Sequence, residues 1–146
     1  MTNTFFSKEQ QIKIQNAIKQ AELKTSGEIR VHIETHCKKE NILERAWEVF
    51  QKLNIHKTKD RNGVIFYLAV EDKRFAILGD EGIHKKVPAN FWDNIKALME
   101  AEFKLGRFTE GLSNGISIAG ESLEKYFPHQ RNDVNELSDV ISFEEN

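Results

Sequence analysis

Apolar residues recur along the chain in two rhythms. Ile14, Ala17, Ile18 and Ala21 are separated by three and four positions, the interval that lines side chains along one stripe of a helix. Ser7 with Gln10 forms a capping box ahead of them, so the first element is helical. Beyond Thr25, Ser26 and Gly27 the rhythm changes: Ile29, Val31 and Ile33 alternate with Glu28, Arg30, His32 and Glu34. A period of two with unlike faces predicts a strand near a sheet edge. Helical spacing returns with Ile42, Ala46, Val49, Phe50 and Leu53, and "HKTKDRNG" ends it in turn-forming residues. The continuous apolar run "VIFYLAV", Val64 to Val70, predicts a central strand covered on both faces. "EDKR" then turns into "FAIL", giving a third strand antiparallel to the second. Strand, helix and strand in succession form a right-handed crossover, which makes the first two strands parallel.

After the sheet, Pro88 suits a helix start, and Phe91, Trp92, Ile95, Leu98, Met99 and Phe103 keep helical intervals until Gly106 caps the end. Thr109 is placed to cap a last helix carrying Leu112, Ile116, Ala119 and Leu123. Gly111 and Gly115 inside it each cost about 1 kcal/mol against alanine, which predicts a face where another backbone comes close. From His129 on the chain is acidic and polar, with scattered apolar residues, and reads as a loosely held tail. The expected organisation is one domain over residues 1–128 and a flexible acidic tail over 129–146.

Composition narrows the function classes. A chain of 146 residues, 39% hydrophobic and 30% charged, can build one globular core. Its formal charge of -2 comes from well-mixed signs, with no basic stripe to neutralise nucleic-acid phosphates. No apolar stretch approaches the ~20 residues that cross a bilayer, and "MTNTFFSKEQQ" lacks the basic start and apolar block of an export signal. The expected address is cytoplasmic. The lone Cys37 has no partner for an internal disulfide and no evident feature to activate it as a nucleophile.

Strand directions sort the polar residues into two groups, because parallel neighbours share an end and a hairpin partner returns. One end gathers Glu28, Asp60, Asn62, Asp80 and Glu81, an oxygen set suited to a hard cation such as calcium. Gly79 and Gly82 would let the backbone there fold tightly and turn carbonyls inward. The competing reading is that these side chains point into water at three separate loops. The other end gathers Glu34, His36, Glu71 and Asp72 with Cys37, which a borderline metal such as zinc accepts, although the spacing matches no established zinc pattern. Asp72 is also explained as a turn residue. "LGDEGIHKK" sets two negative charges where a phosphate cradle would need none, which disfavours nucleotide binding.

"SGEIRVHI", "RNGVIFYLAVEDKRFAILGDEGI" and "FKLGRFTEGLSNGI", in this order, resemble segments of the TPM domain family. The resemblance implies an α/β class fold, a three-layer α/β/α sandwich around a small mixed sheet, as the periodicities also suggest. It further implies divalent cation binding, often of calcium, and for some members acid phosphatase activity. Glu28 falls in the family's small-Gly-Glu strand opening, Asn62 and Gly63 in its Asn-Gly-Val segment, and Asp72 in its acidic-basic hairpin. Gly79 matches the start of a glycine-rich turn, but Gly-Asp-Glu-Gly-Ile stands here where many relatives have Gly-x-Gly-Leu-Glu. Which carboxylate would reach a metal is therefore open.

Three functions follow as expectations. The first is a module that binds a divalent cation, calcium before magnesium or zinc, through Glu28, Asn62, Asp80 and Glu81, and that presents a surface to a protein partner. The second is metal-assisted hydrolysis of phosphomonoesters, with Asp60 taking the water's proton and Arg30, Arg61 or Lys85 holding the phosphate. The third is a structural domain with no site.

Overall fold

The structure is a computed structural model that describes residues 5–130 and 141–145. Its elements are α1 (Lys8–Glu22), β1 (Glu28–Glu34), α2 (Ile42–Lys52), a 3-10 turn (Ile55–Lys57), β2 (Gly63–Ala69) and β3 (Arg74–Gly79). These are followed by α3 (Glu81–His84), α4 (Asp93–Lys104), α5 (Phe108–Glu124) and β4 (Ser142–Glu144). The sheet runs in the order β3-β2-β1-β4. β1 is parallel to β2, with Glu28 beside Gly63, and β3 returns antiparallel, with Gly79 beside Val64.

Alternation along the strands builds the three layers. Val31, Val64, Phe66 and Leu68 point to the layer of α1, α4 and α5, where they meet Ile14, Ile18, Ile95, Met99, Leu112 and Ile116. Ile65, Tyr67 and Ala76 point the other way, onto Ala46, Val49 and Phe50 of α2 and Ile55 of the 3-10 turn. Ser7 and Gln10 form the predicted capping box at α1, and Gly106 ends α4 at φ 76°.

Several expectations are corrected. Arg107, not Thr109, is the N-cap residue of α5, and Thr109 is buried within its first turn. α4 starts at Asp93, because Pro88 begins a turn segment rather than the helix. The first strand is not at an edge: β4 pairs with it in parallel, Ile33 beside Phe143. Ser142–Glu144 therefore belongs to the sheet although it falls in the stretch read as a tail, while residues 131–140 and 146 of that stretch lie outside those described. All seven residues of β1 are buried, its polar face included. Gly111 and Gly115 do mark close approaches, but to the side chains of Phe103 and Met99; the backbone contact is at Gly120, against Ala21 of α1.

Candidate functional site

One rim of the sheet collects the starts of β1 and β2 and the exit of β3. The Glu28 N–H donates to the Asn62 carbonyl at 3.3 Å, and the Asp80 N–H donates to the Gly63 carbonyl at 2.9 Å. The Gly82 N–H donates to the Arg61 carbonyl at 2.9 Å. A Cβ on Gly82 would lie 2.3 Å from the Asp60 carbonyl oxygen and 2.6 Å from that of Arg61, so only glycine permits this approach. The backbones of three distant segments thereby meet at one rim, with Glu28, Asn62 and Asp80 at most 4% exposed, although among the described residues the carboxylates of Glu28, Asp80 and Glu81 do not converge within 4.8 Å as a group.

Asp80 is engaged on both oxygens. It caps α3 by accepting from the Glu81 N–H at 2.8 Å. It also accepts a fork from Arg61, Nε to Oδ2 at 2.7 Å and Nη2 to Oδ1 at 2.8 Å. The remaining guanidinium nitrogen, Nη1, reaches Glu81 Oε1 at 3.1 Å. This geometry is bidentate recognition of a carboxylate, and the Asp80 hydrogen bonds raise the Arg61 pKa further above its ordinary value. Arg61 gets there through a left-handed backbone at φ 51°. The sequence offers Arg61 as a phosphate ligand; the structure gives its guanidinium to Asp80 and Glu81 instead. Asn62 is held by its N–H to Thr58 Oγ1 at 3.2 Å and by Nδ2 to Ser26 Oγ at 3.3 Å. Asp60 is exposed and lines an adjoining cavity of about 400 Å³ with Ser26, Lys85, Lys86 and Tyr126.

The opposite end is built differently. Glu34 is fully buried and accepts from Arg45 Nε at 2.9 Å and Nη2 at 2.7 Å, and from the Tyr67 hydroxyl. His32 Nε2 lies 3.1 Å from the same carboxylate, and its Nδ1 lies 2.7 Å from Ser142 Oγ of β4. Glu144 of β4 accepts from Lys38 at 2.6 Å, Lys52 at 2.9 Å and Arg45 at 3.1 Å. Burial by itself would raise the Glu34 pKa, but the bonds from Arg45, His32 and Tyr67 outweigh it and hold the group at about 2. Glu144 is likewise brought to about 2, its burial overcome by Lys38, Lys52 and Arg45. Tyr67 is pushed well above its ordinary value by burial and by the Glu34 charge.

Of the second group read from the sequence, Glu34 sits in this buried network, Glu71 is exposed, and His36 and Asp72 bond each other at 2.9 Å on the exposed turn. Asp72 also accepts from the Cys37 N–H at 2.6 Å, and the His36 bond draws its pKa down. Among the described residues, the group of three or more His, Cys, Asp or Glu side chains whose ligand atoms lie within 4.8 Å of one another is His32, Glu34 and Glu144. Three cationic side chains already bond its two carboxylates, so a metal there would meet charges of its own sign. His32, Arg45, Tyr67 and Glu144 were missed as a unit. The available signal was the run of charged residues on the inner face of a strand beside the central one, which needs partners if it is covered.

The profile of the TPM domain matches residues 2–122. No curated protein matches the chain. Among solved structures, the BA42 protein of the psychrophilic bacterium Bizionia argentinensis is 43% identical, covering 99% of this chain and 99% of that one, with a TM-score of 0.91. The N-terminal domain of a protein from P. gingivalis is 17% identical, covering 88% of this chain and 83% of that one, with a TM-score of 0.68. The N-terminal domain of the cg2496 protein from Corynebacterium glutamicum is 15% identical, covering 97% and 81%, with a TM-score of 0.61. These last two are alike in fold alone.

Proposed function

The chain belongs to the TPM domain family, and on that premise we propose that it binds a divalent cation, calcium by preference, at the rim formed by Glu28, Asn62, Asp80 and Glu81. The observation that carries the reading is that two carboxylates, Asp80 and Glu81, share one guanidinium at that rim. The trio keeps an excess negative charge, beside the strand openings that carry Glu28 and Asn62. The donor set is all oxygen, which suits calcium or magnesium over zinc. Arg61 is 41% exposed, so its guanidinium can leave into water at small cost. Arg45 at the other end is 4% exposed and has no such exit. Arg61 thus acts as an internal competitor, filling the rim until a cation displaces it. An ordered rim, with its charge altered by the ion, would then be what a protein partner meets.

Calcium titration followed by amide and Arg61 side-chain NMR tests this. The expected shifts centre on residues 28, 61–63 and 79–82. Arg61→Gln is expected to tighten calcium binding about tenfold, equivalent to about 1.4 kcal/mol, because it removes the competing charge. Shifts confined to His32, Glu34 and Glu144, or a weaker Arg61→Gln variant, would overturn the assignment.

One feature favours a second reading, phosphomonoester hydrolysis. The cavity beside the rim holds Lys85 and Lys86 together with Asp60, cations for a phosphate and a carboxylate for a proton. A bound cation would supply Lewis-acid polarisation and a more acidic water. On a chromogenic phosphomonoester, Asp60→Asn is expected to lower kcat about a hundredfold with KM little changed. Activity that survives the change rules this reading out.

A further inference from the structure

We infer that the outer edge of β3 is a docking trough for an extended segment of another protein, one with apolar side chains at alternate positions and a carboxylate-bearing end. This goes beyond the cation reading and does not rest on it.

β3 ends the sheet, and among the described residues no strand lies on its outer side. The Asp80 N–H bonds inward to Gly63, and the antiparallel pattern alternates. Arg74, Ala76 and Leu78 therefore also face β2, whereas Phe75, Ile77 and Gly79 direct their N–H and C=O groups outward. Such a row is a template for one more strand. The edge carries no proline or bulge, and its only charged residue is Arg74 at the start.

The edge is also recessed. Toward Gly79 it opens into a cavity of about 600 Å³ walled by Trp47 of α2 on one side and by Trp92, Val87 and Pro88 on the other. Toward Arg74 it opens into a second cavity of about 360 Å³ between Ile42 of α2 and Phe103 of α4. Two apolar hollows, one at each end of the strand, offer separate seats for apolar side chains that a docked segment carries on one face. Both tryptophans of the chain line the larger hollow, and Trp47 is 40% exposed.

Charge gives the segment its polarity. Lys73, Arg74 and Lys104 stand around the smaller hollow with Glu100, which pairs with Lys104 at 3.2 Å. That leaves a net positive end. Glu81 stands at the larger hollow. A carboxylate on the docked segment therefore belongs over Lys73, beside Arg74, whose Nη2 already donates to the Glu40 carbonyl at 2.6 Å. The walls suit a single strand better than a second copy of this sheet, whose own α2 and α4 would run into them.

The probe is an end-blocked eight-residue peptide of alternating valine and threonine carrying two glutamates at one end, prepared in both orientations, with lysine counterparts. Tryptophan fluorescence and amide exchange of the full chain read the outcome. One glutamate peptide is expected to change the fluorescence and to slow exchange at Phe75, Ile77 and Gly79 about tenfold while Ala76 and Leu78 stay as they were. It should bind about tenfold tighter than its lysine counterpart, and Lys73→Glu should reverse that preference with the spectrum of the fold retained. Equal binding of both peptides, or no slowing at the three outward amides at millimolar peptide, overturns the proposal. Protection that rises with protein concentration alone assigns the edge to self-association and also overturns it.

Discussion

Glu34 shows what a single residue does in this protein. It is ionised, wholly buried and matched by Arg45, Tyr67 and His32. Removing its charge strands a buried guanidinium, so Glu34→Gln is expected to cost about 3 kcal/mol, read from urea unfolding at neutral pH. The pH dependence follows from the same group and from Glu144, each depressed from 4.5 to about 2. An unfolded carboxylate takes its proton first, so the unfolded state binds more protons in that window. The stabilisation is complete above pH 4.5 and is lost as the pH falls toward 2. In Glu34→Gln that acid slope should shrink by about half. Little of this was legible at the residue scale. The sequence shows Glu34 in an alternating strand but not that β4 covers it. It likewise shows Arg61 beside Asp60 without its left-handed backbone, which alone aims the guanidinium at Asp80.

At the scale of elements, the contact between α1 and α5 is set by Gly120. A Cβ there would lie 2.7 Å from Ala21 Cβ, 2.8 Å from its Cα and 3.1 Å from its carbonyl oxygen. Backbone cannot swing aside as a side chain can. Gly120→Ala is expected to destabilise the fold by about 1–3 kcal/mol and to lower the thermal midpoint accordingly. Gly111→Ala meets the ring of Phe103 instead, at 2.4 Å, and the ring can turn. α1, α2, α4, α5 and the first three strands were legible because each carries a strong period and a stop signal, whereas the four residues of α3 fall in the stretch read as a glycine-rich turn. Gly111 and Gly115 were noticed for breaking helix propensity, and Gly120 breaks it equally but follows Ala119 without a pattern to flag it. β4 was hidden for a different reason: Ser142, Phe143 and Glu144 are too short a run for alternation to register, and Glu144 looks like tail acidity until Lys38, Lys52 and Arg45 are seen around it.

At the scale of the whole molecule, the three-layer plan was open to inference. One crossover hand and one hairpin fix the order of three strands and send the helices to opposite faces. That plan also brought Glu28, Asn62 and Asp80 to one rim, as backbone bonds between their segments show. It could not tell which charged groups would neutralise one another, because that depends on side-chain direction. The fourth strand has a consequence for how the domain is made. β4 is the last of the described elements in chain order, and its Ser142 meets His32 across 110 positions. On a ribosome, then, the helices and the hairpin can assemble while the flank of β1 is still bathed in water. Closing that flank waits until β4 has been made, and a nascent domain stalled short of Glu144 would expose a charged seam for quality control to read.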